Sequence, residues 1–148
     1  VQNHPNVLNV IPGRVELGVD MRGIDQDSLD RMERAFKAAV RESCKKRGVE
    51  YVAEKINSIP PISMSESVED GLEQAAKRLG ISSRRMPSGA GHDSMSFADI
   101  CDTGMVFIPC RGGISHNPSE HTEISSICDG ARVMYEYLKT VAGLQGQE

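Results

Sequence analysis

The sequence predicts an α/β protein built from two small lobes, and three patterns support this. Apolar and polar residues alternate along Val15–Arg22, which is the period of a strand with one buried face. Apolar residues recur every three or four positions along Ser28–Lys46, the period of an amphipathic helix. Pro60-Pro61 interrupts regular structure and marks the boundary between the lobes. We therefore divide the chain into residues 1–59 and 60–148.

The first lobe is expected to be α+β, with the order strand, helix, strand. A short extended stretch at Asn6–Val10 ends at the turn signal Pro12-Gly13, and the alternating strand follows. Asp27 is the expected N-cap of the helix and Gly48 its end. Alternation resumes along Val49–Ile56, which predicts a second long strand.

The second lobe is expected to alternate helices with strands, as α/β lobes do. Strands are predicted at Ser83–Met86 and, as a continuous apolar run buried on both faces, at Met105–Ile108. Helices are predicted at Val68–Leu79, Ser94–Asp99 and Ile124–Val141. In such lobes, the loops at strand ends carry the functional groups.

The composition narrows the class of protein. The chain has 148 residues, 39% hydrophobic and 26% charged, which is ordinary for a globular protein, and its net charge of −4 argues against nucleic-acid binding. It has no apolar run of roughly 18 residues, no signal-peptide pattern, and four cysteines without C-x-x-C spacing. We therefore expect a cytoplasmic protein with reduced thiols and no membrane partner. Because Val1 is not an initiator methionine, we also expect a fragment or a processed chain.

Two glycine-rich loops each carry a histidine. Ser88–Asp93 has the sequence SGAGHD, and Gly112–Glu120 has the sequence GGISHNPSE. Small residues let the backbone approach a ligand closely, and imidazole is the side chain best suited to proton transfer and metal binding near neutral pH. The pair of loops predicts an active site.

His116 is the candidate metal ligand. A neutral imidazole nitrogen can bind a metal while Ser115, Asn117 or Glu120 holds the other ring nitrogen. The alternative is a loop histidine that only forms hydrogen bonds, since no H-x-x-H spacing supplies a second ligand. Cys110 raises the further possibility of a cysteine–histidine nucleophile pair, although a buried, inert thiol suits its position after an apolar strand better.

His92 is the candidate catalytic histidine. Asp93 could fix its tautomer or simply cap the following helix. The backbone N–H groups near Gly89 and Gly91 could receive an oxyanion, or the segment could be a plain turn.

Arg22 and Asn9 are the candidate substrate-binding residues of the first lobe. The Arg22 guanidinium could hold a substrate carboxylate bidentately, or it could form an ion pair with Asp20 or Asp25. Asn9 could likewise serve only to close the turn before Pro12.

Four of these segments, taken together and in order, resemble the hydantoinase/carbamoylase family of amidohydrolases, relatives of the dinuclear-zinc aminoacylases and carboxypeptidases. The segments are Pro5–Gly13, Asp20–Arg22, Ser88–Asp93 and Gly113–Glu120. The resemblance covers nearly the whole chain. It implies a two-domain metallo-amidohydrolase, with residues 1–59 as the second half of a lid and dimerisation domain and residues 60–148 as the last part of the catalytic domain.

The resemblance also implies roles for individual residues. His116 would be the last metal-binding histidine. Asn9 and Arg22 would hold the polar groups of the substrate, Arg22 taking the carboxylate, and in a homodimer both would act on the partner's active site. His92, with the backbone of Gly91, would contact the substrate and its tetrahedral intermediate.

The reaction implied is hydrolysis of a linear C–N amide bond in a small ureido compound. The cofactor would be two divalent metal ions, Zn²⁺ or exchangeable Mn²⁺, Co²⁺ or Ni²⁺. An N-carbamoyl-L-amino acid is the expected substrate, and allantoate is the alternative. The family's other metal ligands and its glutamate base would lie before Val1, so we expect this chain alone to be inactive. An alternative of a different class is a truncated, non-catalytic dimerisation or interaction module.

Overall fold

The computed structural model describes residues 1–144, and the chain divides into two compact units. The N-terminal unit is Val1–Pro61, and the C-terminal unit begins at Ile62. That these units are part of a lid and part of a catalytic domain stays a prediction.

A short hairpin opens the N-terminal unit. Strand β1 (Gln2–His4) pairs antiparallel with β2 (Arg14–Glu16), with Asn3 opposite Val15. The Gly13 N–H donates to the His4 carbonyl over 2.9 Å and closes the intervening loop. The stretch Asn6–Val10, predicted to be extended, lies in this loop and turns at Leu8 and Asn9, and the strand predicted to reach Arg22 ends at Glu16.

Helix α1 (Gln26–Arg47) follows the hairpin. The Asp25 carboxylate accepts the Ser28 N–H at 2.7 Å, so Asp25 is the N-cap and the prediction of Asp27 is wrong by two positions. The helix ends as predicted at Gly48, whose φ of 65° is the left-handed conformation that glycine adopts without a steric penalty. No residue of α1 is buried.

Two helices form the core of the C-terminal unit. Helix α2 (Glu66–Arg78) packs against helix α3 (Ile124–Val141). The close approach depends on Gly71, because a methyl group placed there would lie 2.8 Å from the Tyr137 ring at Cδ2. Among the described residues, the buried apolar side chains are Val68, Ala75, Ala76 and Val133.

The segment that precedes the His116 loop packs on both helices. Gly104 lies against Val68, and a methyl group added to Gly104 would lie 2.6 Å from Val68 Cγ1. Gly130 lies against Ile108, and a methyl group added to Gly130 would lie 2.6 Å from Ile108 Cγ2. A missing side chain on one partner thus makes room for the other at each contact.

Three predicted strands are not formed in the described part of the chain. Val49–Ile56, Ser83–Met86 and Met105–Ile108 carry no strand assignment, and β1–β2 is the only sheet within residues 1–144. The physical reason is that a strand is defined by hydrogen bonds to a neighbour, and no described segment pairs with these three. Ile108 is 37% exposed instead of buried on both faces. The short helix predicted at Ser94–Asp99 is a 3-10 turn at Asp93–Ser96.

Within residues 1–144, no helix combines the length and apolar character needed to cross a membrane.

Candidate active site

The His92 ring is half-buried and is held by a serine. His92 has extended backbone (φ −154°, ψ 167°), and its carbonyl accepts the Met95 N–H at 3.0 Å to begin the 3-10 turn. Its ring Nδ1 forms a hydrogen bond with the Ser94 hydroxyl. The Asp93 carboxylate, which the sequence offered as the partner of the ring, makes no hydrogen bond or ion pair to any residue from 1 to 144. Ser94 therefore orients this imidazole.

A compact turn precedes His92. The Ser88 hydroxyl accepts the Ala90 N–H at 3.2 Å and lies 2.9 Å from the Ala90 carbonyl, to which it donates. A side chain on Gly89 would meet nothing within 4 Å, and one on Gly91 would meet only the Met95 sulfur at 3.8 Å. The backbone is therefore open on this side, which suits the approach of a small polar ligand.

His116 lies on an exposed loop in an unusual backbone conformation. Its φ is 57°, and it is the one non-glycine residue with positive φ among residues 1–144. Such a conformation costs on the order of 1–3 kcal/mol and persists only where surrounding contacts enforce it. The contact here is a hydrogen bond from the His116 N–H to Glu120 Oε2 at 3.0 Å. Glu120 therefore holds the backbone of His116, not its ring nitrogen as the sequence had suggested.

Further contacts close the same loop on itself. The Asn117 side chain accepts the Ser119 N–H at 2.9 Å, and the Asn117 carbonyl accepts the Glu120 N–H at 2.9 Å. Asn117 is thus occupied by a local turn and does not hold the ring of His116.

An ion pair joins the two ends of this loop. Arg111 donates to Glu123 at 2.7 Å through its side chain and to the His121 carbonyl at 2.8 Å through its backbone N–H. Near the start, the Cys110 thiol donates to the Ile114 carbonyl at 3.3 Å. Within residues 1–144, no hydrogen bond joins the Cys110 thiol to His116.

Arg22 is paired with Asp20. The two side chains meet through Nε at 3.0 Å and Nη2 at 2.8 Å, and both are more than 60% exposed. The hydrogen bonds from Arg22 lower the pKa of Asp20 below its ordinary value, and the same bonds raise the pKa of Arg22. Asp25 is engaged as the helix cap, so of the two partners considered from the sequence, Asp20 is the one observed.

Asn9 lies in the exposed turn between β1 and β2. Asn9 and Arg22 belong to the N-terminal unit, whereas His92 and His116 belong to the C-terminal unit. Among residues 1–144, no hydrogen bond or ion pair joins His92 to His116.

The described residues do not form a metal site by themselves. No group of three or more His, Cys, Asp or Glu side chains is placed to hold a metal ion within residues 1–144. His116 is exposed on its turn, and its role as a metal ligand stays a prediction.

Comparison with known proteins identifies the family. The model of peptidase family M20/M25/M40 matches residues 5–140. The chain belongs to this family. An amidase of the hydantoinase/carbamoylase family from Burkholderia multivorans matches with a TM-score of 0.87 and 38% identity, over 93% of this chain and 33% of that one. The resemblance drawn from the four sequence segments is thereby confirmed.

Relatives of the chain carry the names of ureido-compound hydrolases. It is 39% identical to an N-carbamoyl-L-amino-acid amidohydrolase of Pseudomonas sp. (strain NS671), over 89% of this chain and 32% of that protein. It is 34% identical to an allantoate amidohydrolase of Bacillus subtilis (strain 168), over 93% and 34% respectively. The chain thus spans about one third of the length of the curated relatives that it matches.

Sequence reasoning missed the role of Ser94 and misplaced that of Glu120. Ser94 directly follows the loop Ser88–Asp93, two residues after His92, and Glu120 ends the other loop, four residues after His116. Serine side chains commonly bond to groups a few residues away, which is the signal that could have identified Ser94.

Proposed function

We propose that the enzyme to which these residues belong hydrolyses the linear ureido C–N bond of an N-carbamoyl-L-amino acid. One water is consumed, and the products are the free amino acid, carbon dioxide and ammonia. The observation that carries the proposal is the family membership over residues 5–140, together with relatives named for this reaction. The hydrogen bonds that hold His92 and His116 in place support an enzyme over a non-catalytic interaction module.

His92 is proposed to stabilise the charge that develops on the carbamoyl oxygen. Its ring is oriented through Nδ1 by Ser94, and Nε2 makes no hydrogen bond to any described residue. An N–H donor fixed in advance toward a developing oxyanion is worth about 10²–10³ in kcat. The open backbone at Gly91 would let the substrate come close to this ring.

His116 is proposed to bind metal through its ring, with its backbone fixed by Glu120. The family is generally metal-dependent, and two divalent ions are proposed, Zn²⁺ or exchangeable Mn²⁺, Co²⁺ or Ni²⁺. The remaining ligands are proposed to lie in polypeptide outside these 148 residues, because residues 1–144 offer no cluster of three. When bound, such ions activate water at neutral pH.

Arg22 and Asn9 are proposed to select substrates by their carboxylate. The planar fork of Arg22 already binds one carboxylate, that of Asp20, through Nε and Nη2. A substrate carboxylate presents the same two oxygens and would compete for the same fork. In the complete enzyme, a homodimer is proposed in which these residues serve the partner's active site.

The test is an assay of ureido hydrolysis by the natural polypeptide that contains this chain, with the 148-residue chain as the comparison. We expect release of amino acid and ammonia from N-carbamoyl-L-amino acids by the natural polypeptide and no turnover by the 148-residue chain. Preference for allantoate would move the assignment to the alternative substrate, which the Bacillus subtilis relative favours. Activity on neither compound would contradict the proposal.

A further inference from the structure

The hydroxyl of Ser94 is the only described hydrogen-bond partner of the His92 ring. It contacts Nδ1, and Nε2 has no partner among residues 1–144. A neutral imidazole carries its proton on one nitrogen, and the bond made by the other nitrogen decides which one. Ser94 is therefore placed to decide whether His92 acts as a donor or as a base at Nε2.

The chemistry of the two groups favours one arrangement. An imidazole nitrogen is a more basic acceptor than an alcohol oxygen, so the hydroxyl proton points to Nδ1. The Nδ1 lone pair is then occupied, and the ring proton resides on Nε2. The alternative, with Nδ1–H donating to the hydroxyl, would leave a lone pair on Nε2 and make it a proton acceptor.

Local structure fixes this pair. His92 lies at the start of the 3-10 turn and Ser94 within it, and the Met95 N–H to His92 carbonyl bond at 3.0 Å sets the separation between them. Half-burial of the ring limits competition from water for Nδ1.

We propose that Ser94 is a positioning residue that holds His92 as the Nε2–H tautomer, so that His92 is a hydrogen-bond donor to the carbamoyl oxygen and not a general base. This inference rests on the proposed function for its catalytic meaning. The tautomer itself can be observed without any turnover.

The first experiment is long-range ¹H–¹⁵N NMR of the 148-residue chain at a pH where imidazole is neutral, with His92 assigned by His92→Gln. We expect His92 to show a protonated Nε2 and a bare Nδ1. In Ser94→Ala, the signals should move toward the mixed tautomers of a free imidazole, and Ser94→Thr should restore the wild-type pattern. A protonated Nδ1 in the wild type would overturn the proposal.

The second experiment measures kinetics in the natural polypeptide. Ser94→Ala should lower kcat by roughly 10-fold, since misorientation of a catalytic group costs up to about 10², and leave KM little changed. Ser96→Ala is the matched control, because Ser96 is in the same turn, is exposed, and makes no side-chain hydrogen bond to a described residue. Equal losses in both serine variants would contradict a specific role for Ser94.

The two proposals fail in different ways. Unchanged activity in His92→Gln would remove His92 from the reaction but leave the NMR result for Ser94 standing. If His92→Gln loses most of its activity while Ser94→Ala keeps the wild-type tautomer, the catalytic role of His92 stands and the positioning role of Ser94 is contradicted.

Discussion

The two units of the molecule hold their candidate site residues in different ways. The N-terminal unit has no buried residue, and Arg22 is fixed there by an exposed ion pair. The C-terminal unit has a packed helix pair, and its histidines lie on loops fixed by specific hydrogen bonds. Exposed ion pairs contribute little to the free energy of unfolding, whereas truncation of a packed apolar side chain costs about 2–5 kcal/mol. Substitutions should therefore change stability and the geometry of the candidate site more in the C-terminal unit than in the N-terminal unit.

The largest effect is expected for His116→Ala in the natural polypeptide. The variant should lose a metal ion by elemental analysis, and activity should fall by more than about 100-fold, because loss of an outer-shell partner alone costs 10–100-fold. His121→Ala is the control, since His121 is exposed in the same region and contacts only Glu123 through its ring among the described residues. A full metal content in His116→Ala would rule out the ligand assignment.

The next largest effect is expected for substitution of Glu120, because Glu120 enforces the positive φ of His116. Glu120→Ala should weaken Zn²⁺ binding by the natural polypeptide roughly 10-fold, measured by calorimetric titration. Glu120→Gln keeps an oxygen acceptor for the His116 N–H and should stay within a few-fold of wild type.

Glu123→Ala provides a matched control for Glu120. It removes an exposed ion pair to Arg111 in the same loop and should have little effect on metal affinity. If Glu120→Gln binds Zn²⁺ as weakly as Glu120→Ala does, the charge of Glu120, and not its hydrogen bond, supports metal binding.

A pair of glycine substitutions compares the stability of the two units directly. Gly71→Ala gains about 1 kcal/mol in helix propensity but meets the Tyr137 ring, and overpacking costs roughly 1–3 kcal/mol. We expect net destabilisation. Gly18→Ala meets nothing within 4 Å and should be neutral or slightly stabilising.

The free energy of unfolding of both glycine variants is measured by urea denaturation of the 148-residue chain, followed by circular dichroism. Equal shifts of the unfolding midpoint in Gly71→Ala and Gly18→Ala would show that the C-terminal unit tolerates an added methyl group as well as the N-terminal unit does.

The helices could be predicted from the sequence because their determinants are local. The periodicity and end signals placed α1, α2 and α3 within about two residues of their observed ends. Met105–Ile108 has an equally clear pattern, but a strand needs hydrogen bonds from distant segments, which a local pattern does not supply.

The candidate site shows the same division between local and spatial information. Motifs in the sequence selected His92 and His116 as candidate site residues, and their chemical roles stay predictions. They did not show that Ser94 contacts a ring nitrogen or that Glu120 contacts a backbone N–H, because these depend on rotamers and on the positive φ of one residue. The sequence could be used to select the candidate loops, but it could not predict which local group each side chain contacts.

The smallest effect is expected for Asp20→Asn, which tests whether the Asp20–Arg22 pair competes with substrate. The hydrogen bonds from Arg22 lower the pKa of Asp20 below 3.8. The stabilisation from this pair is therefore complete above that ordinary value and is lost as the pH falls through the lower value of the folded state. Near neutral pH the pair is intact, so a substrate carboxylate must displace Asp20.

Asp20→Asn should lower KM for N-carbamoyl substrates by a few-fold without changing kcat, and it should remove this group's contribution to acid sensitivity. A raised KM would show that Asp20 instead holds Arg22 in its binding position, which Asp20→Glu, keeping the charge, should then partly restore.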